Sequence, residues 1–428
     1  MKHYRDYKKQ FNILFLVLAF LLIPIIFAGA ETAGEIRERI AEKDADIQKL
    51  EREIAAYQKE LDGLGKQKNS LNKSLKELDL TRKKLNTDIA VTQSKIDKTN
   101  LKIQSLGKDI GNKEDSIKNN RASVSLELRN VSQFEEKSLV ESMLSDDDFT
   151  TMWTDVDNII TIREKIRETT VRLQQVKVEL EGTQKATIAA KDELTKLKSQ
   201  LGDQQKIIIQ NTNEKNKLLN QTKNNEANYQ KLLKDRIAKR DAFEKELRDY
   251  EAKLQYILDP SKLPAGRVLT WPLQDIFITQ QFGKTVASKR LYATGTHNGV
   301  DFRASTGTPV MAMADGKVLG TGDTDLTCAG ASYGKFIFIQ YNNGLSSTFG
   351  HLSLIKVKEG DQVKRGQVVG YSGATGHVTG PHLHVSLYAS EAVQMASKVS
   401  AACDGRTYRL PVSPINAYLD ALAYLPPL

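Results

Sequence analysis

Six histidines occur in this 428-residue chain, and three of them fall in one stretch, Gly376-His377-Val378-Thr379-Gly380-Pro381-His382-Leu383-His384-Val385. The alternation Leu-His-Val-Ser-Leu predicts a strand over Leu383 to Leu387, which turns His382 and His384 to one face because strand side chains alternate at period two. Two more histidines lie upstream. His297 and Asp301 stand four apart in Thr296-His297-Asn298-Gly299-Val300-Asp301-Phe302. Fully extended, that spacing separates them by about 13 Å, too far to share one ion, so the segment must bend, and Asn298-Gly299 is the place for it. His351 follows a strand predicted over Lys335 to Tyr341, in Phe349-Gly350-His351-Leu352-Ser353. Histidines with a carboxylate suit a catalytic zinc with an open position; a closed structural site is usually richer in cysteine.

These residues resemble the three signature motifs of the lysostaphin/LytM-type zinc metallopeptidases: H-x-x-x-D at His297 and Asp301, H-L-S at His351, and H-x-H at His382 and His384. The resemblance runs over about residues 265 to 420. It takes in Trp271-Pro272-Leu273, Ile278-Thr279-Gln280-Gln281-Phe282-Gly283, Ala314-Asp315-Gly316-Lys317-Val318 and the glycine-punctuated run Val357 to Gln367. It implies a zinc ion held by His297, Asp301 and His384, with His351 and His382 as the catalytic pair, one a general base and the other a donor to the developing oxyanion or leaving amine. Which takes which role is not read from the sequence. Peptidoglycan stem or cross-bridge peptides are the implied substrate. His377 falls at a variable loop position and is assigned to the surface or the substrate rim.

These residues need a scaffold. Beyond Asp259-Pro260-Ser261-Lys262-Leu263-Pro264-Ala265-Gly266, where two prolines and a glycine break any helix, short β-rich runs alternate with turns such as Asp315-Gly316 and Asn342-Asn343-Gly344. This predicts a linker over 259–266 and a compact, mainly antiparallel β domain over 267–428, large enough for its own core. Both cysteines, Cys328 and Cys403, lie in it on loop-like stretches, and an even pair in an exported chain reads as a disulfide.

At the other end, Lys2, Arg5, Lys8 and Lys9 precede the apolar run Phe11 to Ala30, which ends in Ala28-Gly29-Ala30. This is an export signal with a small-residue cleavage site, or else an uncleaved anchor tethering the chain to the inner membrane through residues 11–30. Either way the remainder lies outside the cytoplasm, in the periplasm or on the envelope exterior.

Residues 25 to 259 contain no proline, and from Glu31 onward they are rich in Lys, Glu, Gln, Asn and Leu, a composition of long helices. Ile40, Ile47, Ile54 and Leu61 step by seven, with Leu50, Tyr57, Leu64, Leu71, Leu78 and Leu85 beside them, then Ile89 through Val124. Ile159, Ile166, Leu173, Leu180, Leu194, Leu201 and Ile208 repeat the step, with Thr187 the polar exception. Two arms of about 100 residues predict a coiled-coil hairpin over 31–258 with its tip near 138–157; self-association through the coil is the other outcome of the same heptads. At the tip Phe149, Met152, Trp153 and Val156 make one apolar face, which either closes the hairpin or docks a partner.

An exported coiled coil followed by a LytM-type domain is similar to the EnvC-type murein hydrolase activators and the PcsB-like division proteins. That resemblance implies recruitment by an FtsE/FtsX-type membrane complex. EnvC-type activators commonly have a degenerate zinc site, whereas here every ligand and catalytic position is filled, so catalysis is the reading adopted; the alternative is a non-catalytic activator of a peptidoglycan amidase. The net charge of +9 is that of a solvated coil. No nucleic-acid motif, phosphate-binding glycine loop, or Ser/His/Asp or Cys nucleophile set is present.

Overall fold

The computed structural model describes residues 32–65, 69–135, 149–254, 259–285, 288 and 295–428. The apolar run at 11–30 and most of the predicted hairpin tip lie outside the described residues. Among the described residues, no helix is long and apolar enough to cross a membrane. Among the described residues four long helices come first: α1 (Ala33–Gly65), α2 (Leu71–Glu135), α3 (Phe149–Thr222) and α4 (Glu226–Glu251). Thr32 opens α1 with a capping box, its hydroxyl accepting from the Glu35 amide while the Glu35 carboxylate accepts from the Thr32 amide. Phe149, Met152, Trp153 and Val156 lie in the first turns of α3, but their side chains are outside what is described.

The chain divides into two compact units, Met1–Asp44 with Asp97–Glu193, and Ala45–Ile96 with Leu194–Leu428. In the first, Lys165 of α3 pairs with Glu127 of α2 at 3.4 Å, and Lys98 of α2 pairs with Asp44 of α1. In the second, Lys215 pairs with Asp79 at 2.6 Å and Lys95 with Glu51 at 3.7 Å. Within the second unit Leu80 of α2 also packs with Leu61 and Leu64 of α1, and Leu85 of α2 with Ile207 of α3, so there α2 runs antiparallel to both. The first arm is therefore not one helix of a hundred residues, the expectation from the heptads: one helix ends at Gly65 and the next begins at Leu71. Gly63 and Gly65 weaken the helix there, and Ser70 starts the next one by accepting from the Lys73 amide at 3.2 Å. The second arm breaks as well, at Lys223 and Asn224, both left-handed with φ of 51°. Asn225 then caps α4 by accepting from the Asn228 amide.

Within the second unit the chain continues into a ten-stranded sheet, paired throughout in antiparallel fashion. Its strands are β1 (Ile278–Gln280), β2 (Val300–Arg303), β3 (Pro309–Met311), β4 (Gly316–Asp323), β5 (Lys335–Tyr341), β6 (Leu345–Ile355), β7 (Gln362–Val363), β8 (Val368–Ser372), β9 (His382–Ala389) and β12 (Tyr418–Leu419), with β1, β2, β9, β6 and β5 adjacent in that order. Val300, Phe302, Ile337, Ile339, Phe349, Leu383, Val385 and Leu387 fill the core on one face. The alternate residues are thereby turned to the opposite face, where the histidines stand. A separate hairpin, β10 (Gln394–Ser400) with β11 (Arg406–Val412), packs against α4. Phe243 of α4 sets its ring edge against Tyr408 with centroids 4.8 Å apart, in the same cluster as a disulfide joining Cys328 to Cys403, the pairing expected of an exported chain.

Candidate metal centre

Strand register assembles the site. β2 pairs with β9 so that Asp301 lies opposite His384 and Arg303 opposite His382, and β9 pairs with β6 so that His384 lies opposite Gly350, one residue before His351. His297 precedes β2, and the chain bends at Asn298 and Gly299 as the spacing required. The bend brings His297 Nε2 to 3.3 Å from Asp301 Oδ1. His384 Nδ1 stands 2.8 Å from Asp301 Oδ1 and 3.2 Å from His297 Nε2. All three residues are buried. Donors bonded tetrahedrally to zinc at about 2.0–2.1 Å stand about 3.4 Å apart, so this triangle of two imidazoles and a carboxylate fits the ion. The three are the group of side chains found among the described residues that could hold a metal ion.

The tautomers agree with that role. His297 donates from Nδ1 to the carbonyl of Gln281 at 3.1 Å, which leaves its Nε2 lone pair facing Asp301. His384 is bonded at the other end of its ring, Nε2 to Ser386 Oγ at 2.8 Å, which leaves Nδ1 for the ion. Such outer partners hold a ligating ring in one orientation. Ser386 is in turn 3.4 Å from the hydroxyl of Tyr333, itself 3.0 Å from that of Tyr388, all buried. Burial pushes the Asp301 carboxyl up, but the facing His297, His384 and His382 outweigh it and hold it well below the carboxylate range.

Beside the triangle stand the other two histidines, their ring centroids 4.7 Å apart. His351 donates from Nδ1 to the carbonyl of Thr375 at 2.8 Å, and His382 from Nδ1 to the carbonyl of Gly380 at 2.9 Å. Both Nε2 lone pairs are thus available to the site, and His382 Nε2 is 3.6 Å from Asp301 Oδ1. Burial, and then the neighbouring His382 and His384, hold the His351 imidazole well below its usual range. His351 carries a left-handed backbone with φ of 62°, and its amide donates to the carbonyl of Tyr333 at 2.7 Å. A non-glycine residue in that region stores strain, which concentrates at functional positions.

All five residues singled out from the sequence therefore converge. His377 does not join them: it points to α4, where its Nδ1 meets Glu244 at 2.6 Å and its Nε2 accepts from Arg240 at 3.1 Å. Sequence reasoning passed over Ser386, although a serine two residues after His384 on a buried strand shares its face. It names Asn298-Gly299 as the bend, but not the steric contact of Gly299 with His384.

Residues 295–406 match peptidase family M23. Among curated proteins, the chain is 45% identical over 91 residues to the peptidoglycan DD-endopeptidase ShyA of Vibrio cholerae, covering 21% of this chain and 20% of that one. It is also 45% identical over 91 residues to the glycyl-glycine endopeptidase ALE-1 of Staphylococcus capitis, covering 21% and 24%. The chain thus spans less than a quarter of the length of these relatives. A zinc-containing peptidase from Vibrio cholerae, known from its crystal structure, aligns at 29% identity over 38% of this chain and 41% of that one, with a TM-score of 0.27.

Proposed function

From the premise that the C-terminal part of this chain is a peptidase family M23 domain, we propose that the protein is an exported zinc endopeptidase that cuts peptidoglycan peptides in wall remodelling or division, under the control of its coiled coil. One observation carries the reading: beside a complete set of zinc donors stand two unliganded histidines, each with Nδ1 tied to a carbonyl and Nε2 left for chemistry. A purely structural metal site has no use for that pair.

Zinc, when bound, supplies Lewis acidity and brings the pKa of a coordinated water to about 7. His351, the more enclosed of the two and held neutral by its surroundings, takes the proton of the attacking water at Nε2. His382, at the rim with its side chain 16% exposed, donates from Nε2 to the oxyanion or the departing amine when its ring carries a proton there as well as on Nδ1.

Control by the coil is supported by contacts inside the second unit. Leu85 of α2, Ile207 of α3 and Tyr371 of β8 form a buried cluster. Asp203 of α3 accepts from the Tyr371 hydroxyl at 3.1 Å and pairs with Lys356 at 2.8 Å. Two residues after Tyr371, Gly373 pairs with His382; then Thr375 holds His351, and His377 is held by α4. The helices thus grip the segment that positions both catalytic histidines.

The test is release of new amino termini from purified peptidoglycan by residues 31–428 with zinc, beside the same chain carrying His384→Ala. Because the helices grip the site, Leu85→Asp is included in both. Zinc-dependent release that His384→Ala abolishes is the expected result. No release from peptidoglycans of several cross-link types overturns the proposal and leaves the amidase activator ahead.

A further inference from the structure

Two members of one sheet row beside the zinc site, Phe277 and Arg303, have no part in the mechanism above; the third, His382, does. Phe277, Arg303 and His382 lie side by side across β1, β2 and β9: the Arg303 amide donates to the Phe277 carbonyl at 2.8 Å, and Arg303 is the register partner of His382. Asp301 and Arg303 are two apart on β2, so they project to the same face. The Arg303 guanidinium lies 4.0 Å above the centre of the Phe277 ring, and both side chains are exposed. Stacking fixes the plane of the guanidinium and leaves its edge free to bond. No carboxylate pairs with it among the described residues, whereas the exposed Arg406 and Arg409 both have acidic partners. The neighbouring row is Gln280, Asp301 and His384, and there Gln280 Nε2 is buried with no acceptor among the described residues. A fixed unpaired cation and an unmet buried donor flank the catalytic histidines on one side.

We infer that Arg303, stacked on Phe277, is a specificity residue that binds a carboxylate of the peptide substrate beside the bond to be cut. The inference rests on the peptidase reading and names the substrate chemistry of that site. An exposed planar fork matches a carboxylate bidentately, which a lysine does not. The carboxylate is either the C-terminus of the peptide or an acidic side chain within it.

The test uses residues 31–428 loaded with zinc and a cross-linked stem-peptide dimer in three forms: all carboxylates free, C-termini amidated, or side-chain carboxylates amidated. The readout is the ratio of kcat/KM for the free to each amidated form, which cancels any fraction of molecules held closed by the helices. The wild-type chain is expected to prefer the free form over one amidated form by about tenfold, the scale of one charge-assisted bond. Whichever amidation weakens cutting identifies the source. Arg303→Gln removes the preference through KM with kcat retained, Arg303→Lys restores part of it, and Phe277→Leu reduces it. The same ratio in wild type and Arg303→Gln overturns the inference. If the wild type cuts no form, the peptidase reading fails, and binding of the three uncut dimers decides here: loss of a free-form preference in Arg303→Gln supports carboxylate recognition, and equal binding overturns it.

Discussion

Gly299 and His384 are in direct steric contact: a Cβ on Gly299 would stand 2.5 Å from His384 Cε1 and 2.7 Å from the carbonyl oxygen of Val385. Real Cβ atoms do not approach that closely. The bend that brings His297 back to Asp301 is therefore built flush against the third ligand, and its glycine is there for want of a side chain.

The first prediction follows directly. Gly299→Ala pushes the His384 ring or β9 away, and displacement of one ligand lowers zinc affinity by about 10- to 100-fold, the range seen when ligand support is lost. Zinc retention during dialysis against a graded chelator series measures it. Unchanged affinity removes the steric account.

The site's residues were legible in the sequence because ligand chemistry restricts residue type: His297, Asp301, His351, His382 and His384 are conspicuous in a chain with six histidines. Ser386, the contact of Gly299 with His384, and the Phe277, Arg303 and His382 row were not, because each acquires meaning only through strand register. The heptads behaved differently. Leu64 and Leu71 keep the seven-residue step across the turn between α1 and α2, so the periodicity that predicts helix hides the place where the helix ends. Gly63, Gly65 and Ser70 were the available signal.

Control by the helices makes the second prediction. Leu85 is fully buried, and its Cδ2 lies 2.7 Å from where a Cβ on Gly307 would be. Leu85→Asp or Ile207→Asp places a charge in that cluster and shifts the population toward a freed groove. Peptidoglycan cleavage by residues 31–428 then rises about tenfold or more, the effect of moving the equilibrium by roughly 1.4 kcal/mol. Helicity measured by circular dichroism separates release from unfolding. Equal activity in folded variants and wild type sinks coil control.

The disulfide supports the third. Cys328 and Cys403 are separated by 75 residues, and a loop of that size restricts the unfolded chain enough to contribute about 2–5 kcal/mol. The Cys328→Ala, Cys403→Ala double variant is expected to lose that much in urea unfolding. Because the bond lies in the cluster holding α4 against β10 and β11, its loss also hastens proteolysis around Leu254. A stability equal to wild type refutes this.

The fourth concerns pH. Glu251, at the end of α4, is 7% exposed and accepts from the Tyr418 hydroxyl at 2.8 Å. Burial raises its carboxyl to about 7, against the lowering effect of hydrogen bonds from Tyr418 and the Ser413 backbone. The folded chain thus holds this proton more tightly than the unfolded chain, whose carboxyl titrates near 4.5. The sign follows: the contribution is complete below about pH 4.5, is lost as pH rises toward 7, and stays lost above. The loss amounts to about 3 kcal/mol between pH 4.5 and 8. Glu251→Gln keeps an acceptor for Tyr418 and cannot ionise, so its unfolding free energy is expected to be flatter over that range and higher than wild type at pH 8. Urea unfolding of both chains at pH 5, 6, 7 and 8 measures the difference. Parallel curves mean that Glu251 is not held protonated by its burial, and that the packing of α4 on the β domain is insensitive to pH in this window.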